Sequence, residues 1–192
     1  MNLNTLSGST ISNITFNSTG TANLNGDLTG DINFSGNDAT VNVSDGKGIL
    51  GSVQTLANNT GILNYNGDGT ISGNIGSSSY GIKELNINTG NNQNSTDGVL
   101  VTFDALGREI YADVVGLRNN ATLTLSDNTN MTNTGLDNIL VTTDATNTGT
   151  LTFQGSSNIE GEVGESNKVL NTINAGATGK TVTFDDMVYA ST

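Results

Sequence analysis

A five-residue pattern recurs along the chain: an aliphatic residue, any residue, glycine, any residue, then a β-branched residue. It reads Leu6-Ser-Gly8-Ser-Thr10, Leu28-Thr-Gly30-Asp-Ile32, Ile49-Leu-Gly51-Ser-Val53 and Ile71-Ser-Gly73-Asn-Ile75, with steps of 22, 21 and 22 residues. A further copy, Ile159-Glu-Gly161-Glu-Val163, begins 88 residues after Ile71, which is four steps of 22. A second column keeps the same beat in Val41/Val43, Leu63/Tyr65 and Leu85/Ile87. Each of these pairs is spaced by two, which puts both side chains on one face of a strand. The later part of the chain also repeats earlier segments: Leu63-Asn-Tyr65-Asn-Gly67 matches Leu151-Thr-Phe153-Gln-Gly155, 88 residues on, and Val101-Thr-Phe103-Asp104 resembles Val182-Thr-Phe184-Asp185.

Short alternating runs predict strands at Asn13–Phe16, Asp31–Phe34, Thr40–Val43, Leu85–Asn88, Ala121–Leu125, Thr150–Phe153 and Thr181–Phe184. Turns rich in Gly, Asn and Asp separate them, such as Ser35–Asp38, Asn66–Gly69 and Ala175–Gly179. Asp104–Val115 reads equally well as a short helix or as strands. A 22-residue unit of two or three short strands cannot bury its own apolar face. Stacking each unit on the last solves that problem. The expected fold is therefore all-β, a right-handed parallel β-helix of eight or nine coils, in a single unit spanning residues 1–192. The beat weakens between residues 89 and 148. Insertions are expected near 89–98, a stretch without an apolar residue, and near 131–137.

Composition narrows the function. Of the 192 residues, 33% are hydrophobic and 5% aromatic, which suits a thin, continuous core. Charged residues make up only 12%, and Pro is absent, which argues against a disordered chain. With no His and no Cys, the commonest general base, the thiol nucleophile and the thiolate metal site are missing. Eighteen carboxylates face six scattered basic residues, for a net charge of -12. Nucleic acid and anionic lipid are poor partners for such a surface. No run approaches the length of a membrane-spanning helix. Met1–Thr10 lacks the basic and apolar regions of a signal peptide, which leaves a cytosolic chain or a piece of a longer secreted protein, and the Asn/Thr/Gly-rich, Cys-free composition favours the second.

Two groups of acids are candidates for glycan cleavage or cation binding: Asp185/Asp186, and Glu160, Glu162 and Glu165. The basic residues are expected to stand apart from both groups, where a lyase site would need one beside them. The expectation is no enzymatic activity, no cofactor and no metal. Anchors for a partner are sought among Arg and Tyr. Arg108, Tyr111 and Arg118 cluster just after the first insertion and are the candidate partner-binding residues.

The phrases Asn13-Ile-Thr-Phe-Asn, Thr148-Gly-Thr-Leu-Thr-Phe-Gln-Gly, Asn158-Ile-Glu-Gly-Glu-Val-Gly and Ala175-Gly-Ala-Thr-Gly-Lys-Thr-Val-Thr-Phe resemble passenger-domain repeats of the rickettsial autotransporter surface cell antigen family, outer-membrane protein B in style. The resemblance extends over most of the chain and rests on repeat style. It implies a β-helical passenger held at the bacterial surface by a C-terminal β-barrel outside this chain. It also implies adhesion to and invasion of host cells through a host-cell surface protein. A structural stalk with no binding activity is the alternative, and a polysaccharide-active β-helix a third. Absence of Cys suits export, since a disulfide would obstruct passage through a narrow pore.

Overall fold

The computed structural model describes residues 2–3, 13–90, 100–132 and 138–192. Among these there is no helix, and every strand pairing within the sheets is parallel. The first sheet has eight strands: β1 (Asn2–Leu3), β3 (Thr21–Leu24), β5 (Thr40–Val43), β8 (Ile62–Tyr65), β10 (Ile82–Ile87), β13 (Ala112–Leu117), β16 (Ile139–Thr143) and β19 (Gly161–Val163). The second has six: β6 (Lys47–Ile49), β9 (Gly69–Ile71), β11 (Leu100–Phe103), β14 (Thr122–Leu125), β17 (Thr148–Phe153) and β20 (Leu170–Ala175). The third combines β2 (Asn13–Thr15), β4 (Asp31–Asn33) and β7 (Val53–Gln54) with β12 (Glu109–Ile110), β15 (Asn130–Met131), β18 (Ser157–Ile159) and β21 (Val182–Phe184). Ile75 joins its halves by bridging Val53 and Ile110. The chain visits first, second and third sheet in turn, so each circuit is one coil of a β-solenoid. There are about 7 turns, not eight or nine, and two coils longer than 22 residues take up part of the difference.

The expected apolar ladders are present. Leu28, Ile49, Ile71 and Phe103 stack in the second sheet, and Ile32, Val53, Ile75 and Ile110 in the third. All eight are at most 1% exposed, so they form one core. The glycine between the two columns turns the corner. A Cβ on Gly73 would lie 2.2 Å from the Gly51 carbonyl oxygen, and one on Gly51 2.3 Å from that of Gly30. The coils therefore touch backbone to backbone there, which is why the motif keeps glycine. Asp104–Val115 resolves as strands, with β12 and the start of β13 inside it.

Coil length explains where the beat fails. Successive core partners in the first sheet, Val41, Leu63, Leu85, Val115, Val141 and Val163, are 22, 22, 30, 26 and 22 residues apart. Most of the first expected insertion lies outside the described residues. Thr89 belongs to the rod, its N–H donating to Tyr65 O at 3.1 Å. The second insertion starts later than expected: Met131 is in β15 and fully buried, and 133–137 lie outside the described residues. The two long coils also correct the inference from the 88-residue matches. Leu63 and Tyr65 are in the first sheet, but Leu151 and Phe153 are in the second. Ile71-x-Gly-x-Ile75 turns from the second sheet to the third, whereas Ile159-x-Gly-x-Val163 turns from the third to the first. Val101/Phe103 and Val182/Phe184 likewise sit on different sheets. The duplicated segments have slid one face round the rod, and they still fit because the faces are alike. Their turns match in detail: Thr55 and Thr60 share a 2.6 Å hydroxyl hydrogen bond, as do Thr143 and Thr148.

The abundant Asn and Asp hold coil to coil. At successive corners a carboxylate accepts an N–H from the next coil: Asp27 from Gly48 (2.9 Å), Asp31 from Ser52 (2.7 Å), Asp45 from Asp68 (3.0 Å), Asp68 from Leu100 (2.8 Å) and Asp127 from Ser156 (2.7 Å). Such bonds to an ionised acceptor are stronger than neutral ones. On the outer side of the first sheet an amide ladder runs from Asn86 Nδ2 to Asn64 (3.1 Å), Asn64 to Asn42 (2.9 Å) and Asn42 to Asn23 (2.9 Å). The next rung is Gly116, and Arg118 takes its place, with Nε donating to Asn86 Oδ1 at 3.1 Å.

Candidate functional site

Arg108, Tyr111 and Arg118 are not brought to one face. Arg108 immediately precedes β12; its Nε is buried with no acceptor among the described residues. Tyr111 lies between β12 and β13, where its N–H donates to Ile75 O (2.7 Å) and its carbonyl accepts from Ile82 N (3.0 Å). Arg118 follows β13 and spends its guanidinium on Asn86 and on Asp144 Oδ1 (3.1 Å). Arg108 and Tyr111 flank one short strand, and Arg118 sits at the next corner.

The acid groups are equally dispersed. Asp186 accepts from Asn138 Nδ2 (3.2 Å) and from Met187 N (2.8 Å). Glu160 lies between β18 and β19, and Glu162 pairs with Leu140 in the first sheet. Glu165 is bound by the Thr142 hydroxyl and by Lys168 Nζ (3.1 Å), and those bonds hold its carboxyl below the usual range. Among the described residues, no three acids converge as a metal-holding group. Ion pairs engage Lys83 with Asp38, Arg118 with Asp144, Lys168 with Glu165 and Lys180 with Asp127. Lys47 and Arg108 have no such partner among the described residues.

Asp127 gives a pH test. The Lys180 ammonium, then the Ser156 N–H, hold its carboxyl below the usual range. A depressed folded-state pKa contributes stability above the ordinary carboxylate pKa, and that contribution is lost as pH falls through the folded value. Lys180→Met is therefore expected to lower the urea midpoint at neutral pH and to converge with the parent in acid. An equal gap at both pH values would show that the pair does not couple to folding.

The outer side of the second sheet is different in kind. Its rungs read Thr70, Thr102, Thr124 and Thr152 in one column and Leu100, Thr122, Thr150 and Thr172 in the next, with Asn174 closing the first. None is charged, whereas the outer positions of the other sheets carry Lys83, Glu84, Asp113 and Glu162, or Asp31 and Glu109. At the upper end of this face lies an open groove of about 320 Å³, lined by Asp27, Lys47, Asp68, Thr70, Leu100 and Thr102 along with Gly46, Gly48 and Gly69. Glycine creates the hollow. A Cβ on Gly48 would lie 2.4 Å from Thr70 Oγ1, and one on Gly69 2.5 Å from the Tyr65 ring behind it. Tyr65 is fully buried and donates its hydroxyl to Thr70 O at 2.9 Å, bracing the groove wall; burial pushes its phenol far up.

The groove draws on residues 27 to 102, from separate coils, so no linear motif describes it. One signal was available: the tripeptide Asn-Gly-Asp occurs at 25–27 and 66–68 and ends each time on a groove carboxylate. No family model, curated protein or solved structure matches this chain.

Proposed function

We propose that this chain is a rod segment of a surface-displayed autotransporter-type passenger that acts in adhesion to host cells. The observation that carries the reading is the way each coil completes itself on the one before. Corner carboxylates, the amide ladder and parallel strand edges all bond forward to the next coil. A solenoid of this kind can be built coil by coil as it emerges, without a disulfide or a distant partner strand. Its faces are long and solvent-facing, as display requires. Arg108 and Tyr111, on either side of β12, are the contact residues in this reading.

A specific observation favours the second reading, an inert stalk: four of the six basic residues are engaged in ion pairs with carboxylates of the same chain on its surface. Attachment of cultured host cells to the immobilised chain separates the two. Attachment above an albumin-coated control, reduced by Arg108→Ala with Tyr111→Ala, is the expected result. Attachment no greater than the control by a chain with native circular dichroism would leave the stalk.

A further inference from the structure

We propose that the groove over Gly48 and Gly69 is a binding site for a neutral, hydroxyl-rich sugar, the terminal part of an uncharged oligosaccharide. The inference deepens the adhesion reading and rests on it only for its biological setting.

The chemistry is local. Asp27 and Asp68 each give one carboxylate oxygen to a backbone N–H, those of Gly48 and Leu100. Among the described residues no hydrogen bond engages their second oxygens, and both residues line the groove. A carboxylate oxygen accepts from a sugar hydroxyl in a charge-assisted bond, and a lysine ammonium donates to another. Lys47 supplies that donor and has no ion pair among the described residues. Thr70 and Thr102 add hydroxyls that both donate and accept. Leu100, 45% exposed at the rim, offers an apolar surface to the C–H face of a sugar ring. The volume lies at the small end of ligand sites and suits one or two sugar rings rather than a larger cofactor.

Charge selects the class. Two carboxylates against one lysine leave the groove negative, in a chain of net charge -12. Sialylated or sulfated glycans are disfavoured, and so are phosphates. Below the groove the face stays uncharged through Thr124, which is buried, and the half-buried Thr152.

The test uses the whole chain, labelled with ¹⁵N, and titrates lactose, N-acetyllactosamine and mannotriose, with 3′-sialyllactose and a heparin hexasaccharide as acidic arms. The expected result is saturable shifts of the Gly48, Gly69, Thr70 and Thr102 amides with at least one neutral sugar. Affinity should fall at least tenfold in Asp68→Asn, which keeps an oxygen for the Leu100 N–H, and in Thr70→Val. Thr152→Val, on the same face but outside the groove, should keep its affinity and reports on the fold. Shifts with the acidic sugars alone, shifts elsewhere on the rod, or none with any of the five would overturn the proposal. Cell attachment by a chain that binds no neutral sugar in the groove would sink this site and leave the adhesion reading standing. Sugar binding without cell attachment would do the reverse.

Discussion

Gly73→Val is expected to unfold the middle of the rod, at a cost of about 3 kcal/mol or more. The glycine has no unusual backbone requirement; its need is space. The Cβ alone would sit 2.2 Å from the Gly51 carbonyl oxygen and 2.6 Å from the Ser52 nitrogen. Both neighbours are backbone atoms, so no side-chain rotation relieves the clash. The two coils would have to part, and parting them breaks the parallel pairing of Ile75 with Val53. Gly46→Ala is the control. Gly46 has φ +68 and nothing within 4 Å of its added Cβ, so its cost is conformational alone, about 1 kcal/mol. Chemical denaturation of both variants decides the matter. Equal losses would mean that the corner contact is soft.

The ladder positions are legible in the sequence because inward residues repeat at the coil length. Leu28, Ile49 and Ile71 announce themselves by spacing alone, and so do Val41, Leu63 and Leu85. Legibility ends where coil length changes. Once coils of 30 and 26 residues intervene, equal offsets in sequence no longer mean equal faces. Leu151 then copies Leu63 in its neighbours but not in its place. A short hydrophobic core requires only that apolar residues alternate inward, and any of the faces satisfies that. The corner acids look like solvated turns in the sequence. They are instead acceptors for the next coil, a role invisible without knowing which N–H lies above. The groove is hidden for a related reason. Gly48 and Gly69 matter only because Thr70 and Tyr65 lie beside them, and Asp27 reaches the site from two coils away from Asp68.

Phe103→Ala should be the most damaging of the simple core truncations, with a loss of about 3–5 kcal/mol. Phe103 is fully buried. It stands between Ile71 and Leu125 in the second sheet, at the end of the 32-residue step in that column. In this sheet β11 is the strand that joins β9, before the insertion, to β14, after it. The backbone there is also held by the Ser126 hydroxyl, which donates to the Phe103 carbonyl. Truncation would open a cavity that neighbouring rungs cannot close, because strand spacing fixes their separation. In a solenoid each unit is stabilised by its neighbours, so the loss should spread along the rod rather than stay local. Amide exchange reads this directly. Protection should fall at Thr70 and Thr124 on either side, and further out at Gly48 and Thr152, with the smallest change at β3 and β19. Loss confined to β11, with β9 and β14 as protected as in the parent, would show that the coils on the two sides of the insertion are stable independently and that Phe103 does not join them.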